Sequence, residues 1–313
     1  MKKIIFTLIL LISFILIILI VVLSTIGIET GKFNNLISKK INQSNDNINL
    51  TLTTIKFKLD LEEISLFLET NNPKINYRDA SIPAKNIKVY IDFFSLLKSE
   101  PKIEKINLKL NELDIEQLKK ISITLKPSNF TRFINNNITK GKLSSEIDIY
   151  LDNNNLFDNF IAKGFVSNLS AEIINKVNVV KTNFSYFADK SDVLIKNIDS
   201  ETGPIKILDG DLKLSLSPKI SIESNFKTNL KYNKSAKYPN IIKNFKQAEN
   251  IVSLEAKLNN NFMISFDKTY KVKNYEYKSN GKVLKAVYDF KKPIDYFLDE
   301  KINKLSLVNS EIK

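Results

Sequence analysis

From Leu50 almost to the end of the chain, apolar residues occupy every second position in one short segment after another. Such a period suits β-strands that carry one apolar face and one polar face. In NLTLTTIKFKLDL, Leu50 and Leu52 alternate with threonines; Ile55, Phe57, Leu59 and Leu61 continue one residue out of phase, which predicts a bulge at Thr53-Thr54. Ile64, Leu66 and Leu68 form the next run, Asn71-Asn72-Pro73 reads as a turn, and Ile75 with Tyr77 resumes the alternation. Ile87, Val89 and Ile91, then Ile106, Leu108 and Leu110, then Ile147, Ile149 and Leu151 repeat it. Later runs carry Phe184 and Tyr186, Val193 and Ile195, Leu212 to Leu216, Val252 to Leu258, Phe262 to Phe266, and Tyr275 with Tyr277. Asp209-Gly210, Ser217-Pro218, Asn259-Asn260-Asn261 and Asn280-Gly281 read as turns between strands.

Helical spacing interrupts this grammar in a few places. Phe33, Leu36, Ile37 and Ile41 predict a short amphipathic helix from Lys32 to Gln43, and DFFSLLKS predicts another from Asp92 to Ser99. A third covers Glu112 to Ile121. A fourth starts after Pro127, with Ser128 as its cap and Phe130, Phe133, Ile134 and Ile138 on one face. YPNIIKNF around Ile241 and PIDYFLDEKINKL after Pro293 also read as helical.

The N-terminus follows a different rule. Met1-Lys2-Lys3 precedes an unbroken apolar run, IIFTLILLISFILIILIVVLSTIGI, from Ile4 to Ile28. A bilayer core of about 30 Å needs about 20 helical residues, so this run is long enough to span it with some tilt. A cleaved signal peptide would have a shorter apolar region and a small-x-small cleavage site, and neither is present. Lys2 and Lys3 are expected to stay cytoplasmic, which sends everything after Glu29 across the membrane.

Composition removes most chemistry. Cysteine, histidine and tryptophan are absent from the 313 residues. Disulfides, thiol catalysis, Cys/His zinc sites, haem ligation by histidine and histidine-based triads are therefore excluded. The net charge of +13 invites a nucleic-acid reading, yet of 47 basic residues only Arg78 and Arg132 are arginine. Arginine is the preferred side chain for bidentate phosphate and base contacts, and the lysines are spread along the strands, so no nucleic-acid partner is expected. Weak attraction to anionic membrane surfaces suits the charge better.

These patterns predict a mainly β fold. The transmembrane helix is followed by an elongated antiparallel β-meander or open β-groove with a few short helices. Four regions are expected: a cytoplasmic tip (1–3), a transmembrane helix (4–28), a β-rich domain with short helices (29–140) and a repetitive antiparallel region (141–313).

The anchor, the TGKFNNLI segment, the hairpin LTTIKFKLDLEEISLFLETNNPKI and the strand leading into FFSLLKSEPKIEKINL together resemble the AsmA-like proteins, in particular the branch containing YhdP and TamB. The likeness covers roughly the first 150 residues. The later units GKLSSEIDIYL and IKILDGDLKLSLSP are similar to that family's repeated strand grammar. The resemblance implies an inner-membrane-anchored, periplasmic envelope protein with a groove that conveys phospholipid towards the outer membrane. Its members are usually much longer, and this sequence stops at LSLVNSEIK inside what reads as another strand, so an N-terminal fragment is expected.

Candidate sites follow. The acidic set Asp199, Glu201, Asp209 and Asp211 has oxygens for a hard cation but the spacing of no known calcium loop, and turn chemistry accounts for it; no metal is expected. Glu62 and Glu63 beside Asp60 read as solvated turn residues rather than a glycosidase pair. No catalytic residue and no cofactor is expected. Ile55, Phe57, Leu59, Leu66, Ile87, Val89, Ile106, Leu108, Ile147 and Ile149 are the candidates for a lipid-lining surface. Periodicity alone cannot separate a groove from a closed core and favours the ordinary core; the resemblance is what favours a groove. The expected partners are membrane phospholipids, together with other envelope proteins that could pair with exposed strand edges.

Overall fold

The computed structural model describes residues 2–31, 34, 38, 47–52, 54–63, 65–92, 102–124, 127–152, 154, 156–173, 177–236, 250–267, 271–294 and 301–312. Strands take up 67% of the chain, so the fold is mainly β, as the alternation predicts. They form one large antiparallel sheet that stays open and does not close into a barrel.

Helix α1 (Lys2–Thr25) covers most of the apolar run and is long and apolar enough to cross a membrane. Three of its hydroxyls bond within the helix: Thr7 donates to the Lys3 carbonyl at 2.9 Å, and Ser24 and Thr25 donate to the Val21 carbonyl at 3.2 and 2.6 Å. That is what a helix in hydrocarbon requires. The helix stops before the apolar run does. Gly27 adopts φ +76°, and the Ile26 and Gly27 amides both donate to the Val22 carbonyl, at 3.1 and 2.8 Å. This left-handed residue ends the helix, and Ile28 already belongs to strand β1 (Ile28–Thr30). A β-carbon at Gly27 would also lie 2.7 Å from Lys58 Cγ, so the position favours glycine twice over.

The chain divides into two compact units. The first holds residues 1–113, 123–125 and 145–162, and the second holds 114–122, 126–144 and 163–313. In the first unit β1 pairs with β3 (Ile55–Asp60), β3 with β4 (Ser65–Asn71), and β4 with the second half of β6 (Ala80–Ile91). β6 then pairs with β7 (Ile103–Leu110), and β7 with the later part of β9 (Ile138–Leu151). β2 (Ile48–Thr51) pairs with β5 (Lys74–Tyr77), which pairs with the first half of β6. Where the bulge is expected, β2 ends at Thr51 and β3 begins at Ile55 with different partners, so the apolar phase changes between two strands and not within one; Thr53 itself lies outside the described residues.

The second unit starts with β8 (Leu113–Asp114, across the boundary) and most of α2 (Ile115–Thr124), and continues with α3 (Asn129–Asn137). Asp114 Oδ1 accepts from the Gln117 amide at 2.9 Å while Gln117 Oε1 accepts from the Asp114 amide at 3.1 Å, a reciprocal cap. Ser128 caps α3 as expected: its Oγ accepts from the Thr131 amide at 3.1 Å. Ile138 is not part of that helix. It opens β9 and is buried with Ile134 and Ala171, against which Ile115, Leu118, Leu169 and Val179 pack.

Both units draw on β9 and β10 (Phe157–Glu172). The rest of the second unit is a meander of β11 (Asn178–Ala188), β12 (Asp192–Thr202), β13 (Ile205–Ser215), β14 (Ser221–Asn233), β15 (Ile251–Phe266), β16 (Val272–Ile294) and β17 (Ile302–Ile312). Each pairs antiparallel with the next.

Three expected turns lie inside strands. Asn259-Asn260-Asn261 sits within β15, and Asn280-Gly281 sits within β16 with Gly281 opposite Leu258. Asp209-Gly210 marks a register shift in β13, with Asp209 at φ +49°. The helix expected after Pro293 is also absent at both ends, since β16 runs through Ile294 and β17 starts at Ile302. The segment around Ile241 lies outside the described residues, as do nearly all of Lys32–Gln43 and Asp92–Ser99.

Candidate functional site

Strand register turns the alternation into a surface. Ile28, Phe57, Leu68, Val89, Ile106 and Ile149 are successive partners across β1, β3, β4, β6, β7 and β9. On one side of this row Thr70, Ile87, Leu108 and Ile147 are partnered in the same way, with Ile55 two residues before Phe57. On the other side Leu59, Leu66, Ile91 and Ile103 form a third row. Partnered residues and residues two apart share a face. All ten candidates therefore lie on one face of the first unit's sheet, joined by Leu68, Ile91 and Ile103. Leu68 and Ile91 carry the same alternation signal; Ile103 is out of phase with Ile106 and Leu108 and reaches this face through a register shift at Tyr90 and Ile91.

Coverage of this face is partial. Ile55 and Leu66 are buried, whereas Phe57, Leu59, Ile87, Val89, Ile106, Leu108, Ile147 and Ile149 are half-buried. A cavity of about 110 Å³ opens on it, lined by Leu50, Leu52, Ile55, Leu68, Ile87, Val89 and Ile106 together with Glu69 and Thr70. Leu50 and Leu52, on and just after β2, were not among the candidates. The Thr70 hydroxyl is buried and has no hydrogen-bond partner among the described residues, so the cavity wall is polar at that one side chain's position only at a cost.

The opposite face is polar and internally paired. Lys58 meets Glu69 at 2.8 Å and Lys56 meets Glu29 at 3.2 Å. Asn107 Nδ2 donates to Glu146 at 3.0 Å and to Asp148 at 2.7 Å. The Phe67 and Tyr90 rings stack with centroids 5.2 Å apart, and the Lys105 ammonium lies 4.1 Å from the Tyr90 centroid. Burial, reinforced by the Glu63 and Asp60 carboxylates, pushes the Tyr90 phenol well above its usual pKa. One face of the same strands is thus apolar and half open, and the other is polar and largely ion-paired, with Ser65 Oγ and Asn86 Oδ1 buried there without a partner among the described residues.

Three of the four acidic residues considered for metal, Glu201, Asp209 and Asp211, are paired with lysines. Glu201 bridges Lys181 and Lys206, each at 3.0 Å; Asp211 meets Lys196 at 2.9 Å and Asp209 meets Lys227 at 3.0 Å. The hydrogen bonds from Lys181 and Lys206 hold the Glu201 carboxyl below its usual range, and the one from Lys196 does the same for Asp211. Among the described residues no group of three carboxylates could hold a metal ion. Asp60, Glu62 and Glu63 form the β3–β4 turn, where Asp60 Oδ1 accepts from the Glu62 amide at 3.0 Å and Glu63 pairs with Lys105. At the N-terminal end of α1 Lys3 is exposed.

A polar centre in the second unit was not foreseen. Asn260 is 2% exposed on the apolar face of β15. Its amide nitrogen donates to Thr228 Oγ1 at 3.1 Å and to the Phe226 carbonyl at 3.2 Å. Its oxygen accepts from the Tyr277 hydroxyl at 2.7 Å and from Ser279 Oγ at 2.9 Å. Three strands meet at one side chain, and nothing local in Asn259-Asn260-Asn261 signals it.

Comparison of the chain with protein-family models, with curated proteins and with solved structures finds no match in any of the three.

Proposed function

We propose that the protein is anchored in the bacterial inner membrane by α1, with its body in the periplasm, and that the apolar face of the first unit shields phospholipid acyl chains on their way towards the outer membrane. The observation that carries this reading is the row from Ile28 to Ile149. It begins three residues after the last residue of α1 and continues without a charged member across six strands. Exposing an acyl chain to water costs about 0.8 kcal/mol per CH₂, and a continuous apolar surface offsets that cost without making or breaking a bond. No catalytic residue, metal or cofactor is required. The resemblance of the N-terminal segments to the AsmA-like proteins supports the same assignment.

Photocrosslinking tests it. A benzophenone amino acid at Val89 or Ile106 in the membrane-embedded protein is expected to yield phospholipid adducts, and the same group at Lys88 on the opposite face is not. Equal labelling of the two faces, or none on the apolar one, rejects the proposal.

A second reading has its own observation. β17 pairs with β16 on one side, and Leu305, Leu307, Val308 and Ile312 are exposed along it. An envelope partner could add a strand there. Protein adducts from a crosslinker at Leu305, without lipid adducts at Val89, would favour this assembly role.

A further inference from the structure

Topology places several of the first unit's connections on one edge of its sheet. β3 is antiparallel to β1 with Phe57 opposite Ile28, so Lys58, Leu59 and Asp60 run back past the start of β1 to the end of α1. The pairings Asp60–Ser65, Leu66–Ile91 and Lys105–Tyr150 carry that edge across the sheet. The β3–β4 turn and the β9–β10 connection therefore leave the sheet on the side where α1 joins it.

Exposed apolar side chains gather on this edge. Ile26 is 67% exposed, Ile28 48%, Leu61 59%, Leu156 63% and Phe157 56%. Single exposed apolar residues are ordinary, so the distribution is what decides. The turns at the opposite edge, Arg78-Asp79 and Asn111-Glu112, are polar, and a single exposed apolar side chain stands near them: Ile123, 71% exposed, next to Thr124, whose carbonyl accepts from Arg78. Both apolar turns are built alike. In the first, Asp60 Oδ1 accepts from the Glu62 amide at 3.0 Å and the Glu63 amide at 3.3 Å. In the second, Asp152 Oδ1 accepts from the Asn154 amide at 2.8 Å and the Leu156 amide at 2.9 Å. Each turn is held by its own aspartate and presents a leucine to solvent.

We propose that this edge docks into the headgroup layer of the bilayer that α1 spans, with Leu61, Leu156 and Phe157 inserted among zwitterionic phospholipids. The occupant follows from continuity: α1 enters the membrane at this edge, and any surface beside its end meets the same bilayer. Charge does not drive the contact, because Asp60, Glu62, Glu63, Asp152 and Asp158 all lie there. The inference rests on α1 crossing a membrane and is independent of lipid transfer. Docking would set the first apolar rows of the sheet level with the lipid surface.

The chain has no cysteine, so single sites can be labelled cleanly. Leu61→Cys, Leu156→Cys, Asp79→Cys, Asn111→Cys and Phe14→Cys variants of the full chain, each carrying an environment-sensitive fluorophore, would be reconstituted into phosphatidylcholine vesicles containing spin-labelled phosphatidylcholine. Positions 61 and 156 are expected to show a blue shift and several-fold stronger quenching than positions 79 and 111. Position 14, inside α1, reports insertion of the anchor separately: quenching there without quenching at 61 and 156 overturns the docking, whereas none at 14 overturns the span itself. Quenching at 61 and 156 that appears only after phosphatidylglycerol is added also overturns the proposal, since it would mean attraction by charge.

Discussion

Ile28 and Phe57 face each other across β1 and β3, three residues after α1 ends at Thr25. Helix α1 thus leads straight into the first row of the apolar face, and a substitution in that row leaves the apolar helix itself unchanged.

Ile106 is the row's member on β7, and Ile147 lies beside it on β9. A carboxylate at either position places charge on a half-buried apolar surface, at a stability cost of about 1–3 kcal/mol. Ile106→Asp and Ile147→Asp are expected to lower the phospholipid recovered with the purified protein several-fold while the chain stays in the membrane fraction. Ile106→Val should retain the parental amount. Mass spectrometry of extracted lipid gives the comparison.

Gly27 joins helix to sheet at a positive φ with Lys58 against it. A β-branched residue there opposes both features, and the backbone strain alone is about 1–2 kcal/mol. Gly27→Val should loosen β1 from β3 and speed proteolysis between residues 26 and 31. Gly27→Asn, which tolerates this backbone better, should fall between the two. Time courses of limited proteolysis on the membrane-bound protein distinguish them.

Replacing Asn260 with alanine strips the hydroxyls of Thr228, Tyr277 and Ser279 of a shared partner. The expected loss is about 1–3 kcal/mol, the usual cost of unsatisfied buried polar groups. Asn261→Ala, at an exposed position next along the strand, should change stability by less than about 0.5 kcal/mol. Thermal melts followed by circular dichroism would show the difference.

Acid should weaken the second unit. The Glu201 carboxyl is held low by hydrogen bonds from Lys181 and Lys206, Asp211 by one from Lys196, and Asp189 by the Asp192 and Ser191 amides. A folded-state pKa below the unfolded value contributes stability above the unfolded value and loses it as pH falls through the folded one. The melting temperature should therefore fall on acidification below about pH 4.5, near the ordinary carboxylate range. Glu201→Gln should flatten that fall, and added salt should shrink the difference between variant and parent.

Much of this was legible because a period of two survives folding unchanged. Parity alone assigns Phe57, Val89, Ile106 and Ile149 to the apolar side of each one's own strand, and the register joins those sides into one face. Ser128 was readable as a cap because its partner Thr131 lies three residues away. What misled was local turn chemistry. Asn259-Asn260-Asn261 and Asn280-Gly281 carry turn residues, but their surroundings come from neighbouring strands. A β-carbon at Gly281 would collide with the Lys257 carbonyl, and Asn260 has partners on β14 and β16. The cavity escaped for the same reason: Leu50 reaches it through a strand that pairs with β5 and not with β3.

A chain this monotonous has a difficulty that hydrophobicity cannot resolve. Sliding β16 by two residues against β15 would keep every inward side chain inward, so greasy contacts alone read almost the same in neighbouring frames. Either slide would put Gly281 or Tyr277 opposite Asn260 where Ser279 now stands, and its joint grip on Tyr277 and Ser279 would be lost. One buried amide thus tells the ribbon where to stop, a punctuation mark in a text otherwise written with two letters.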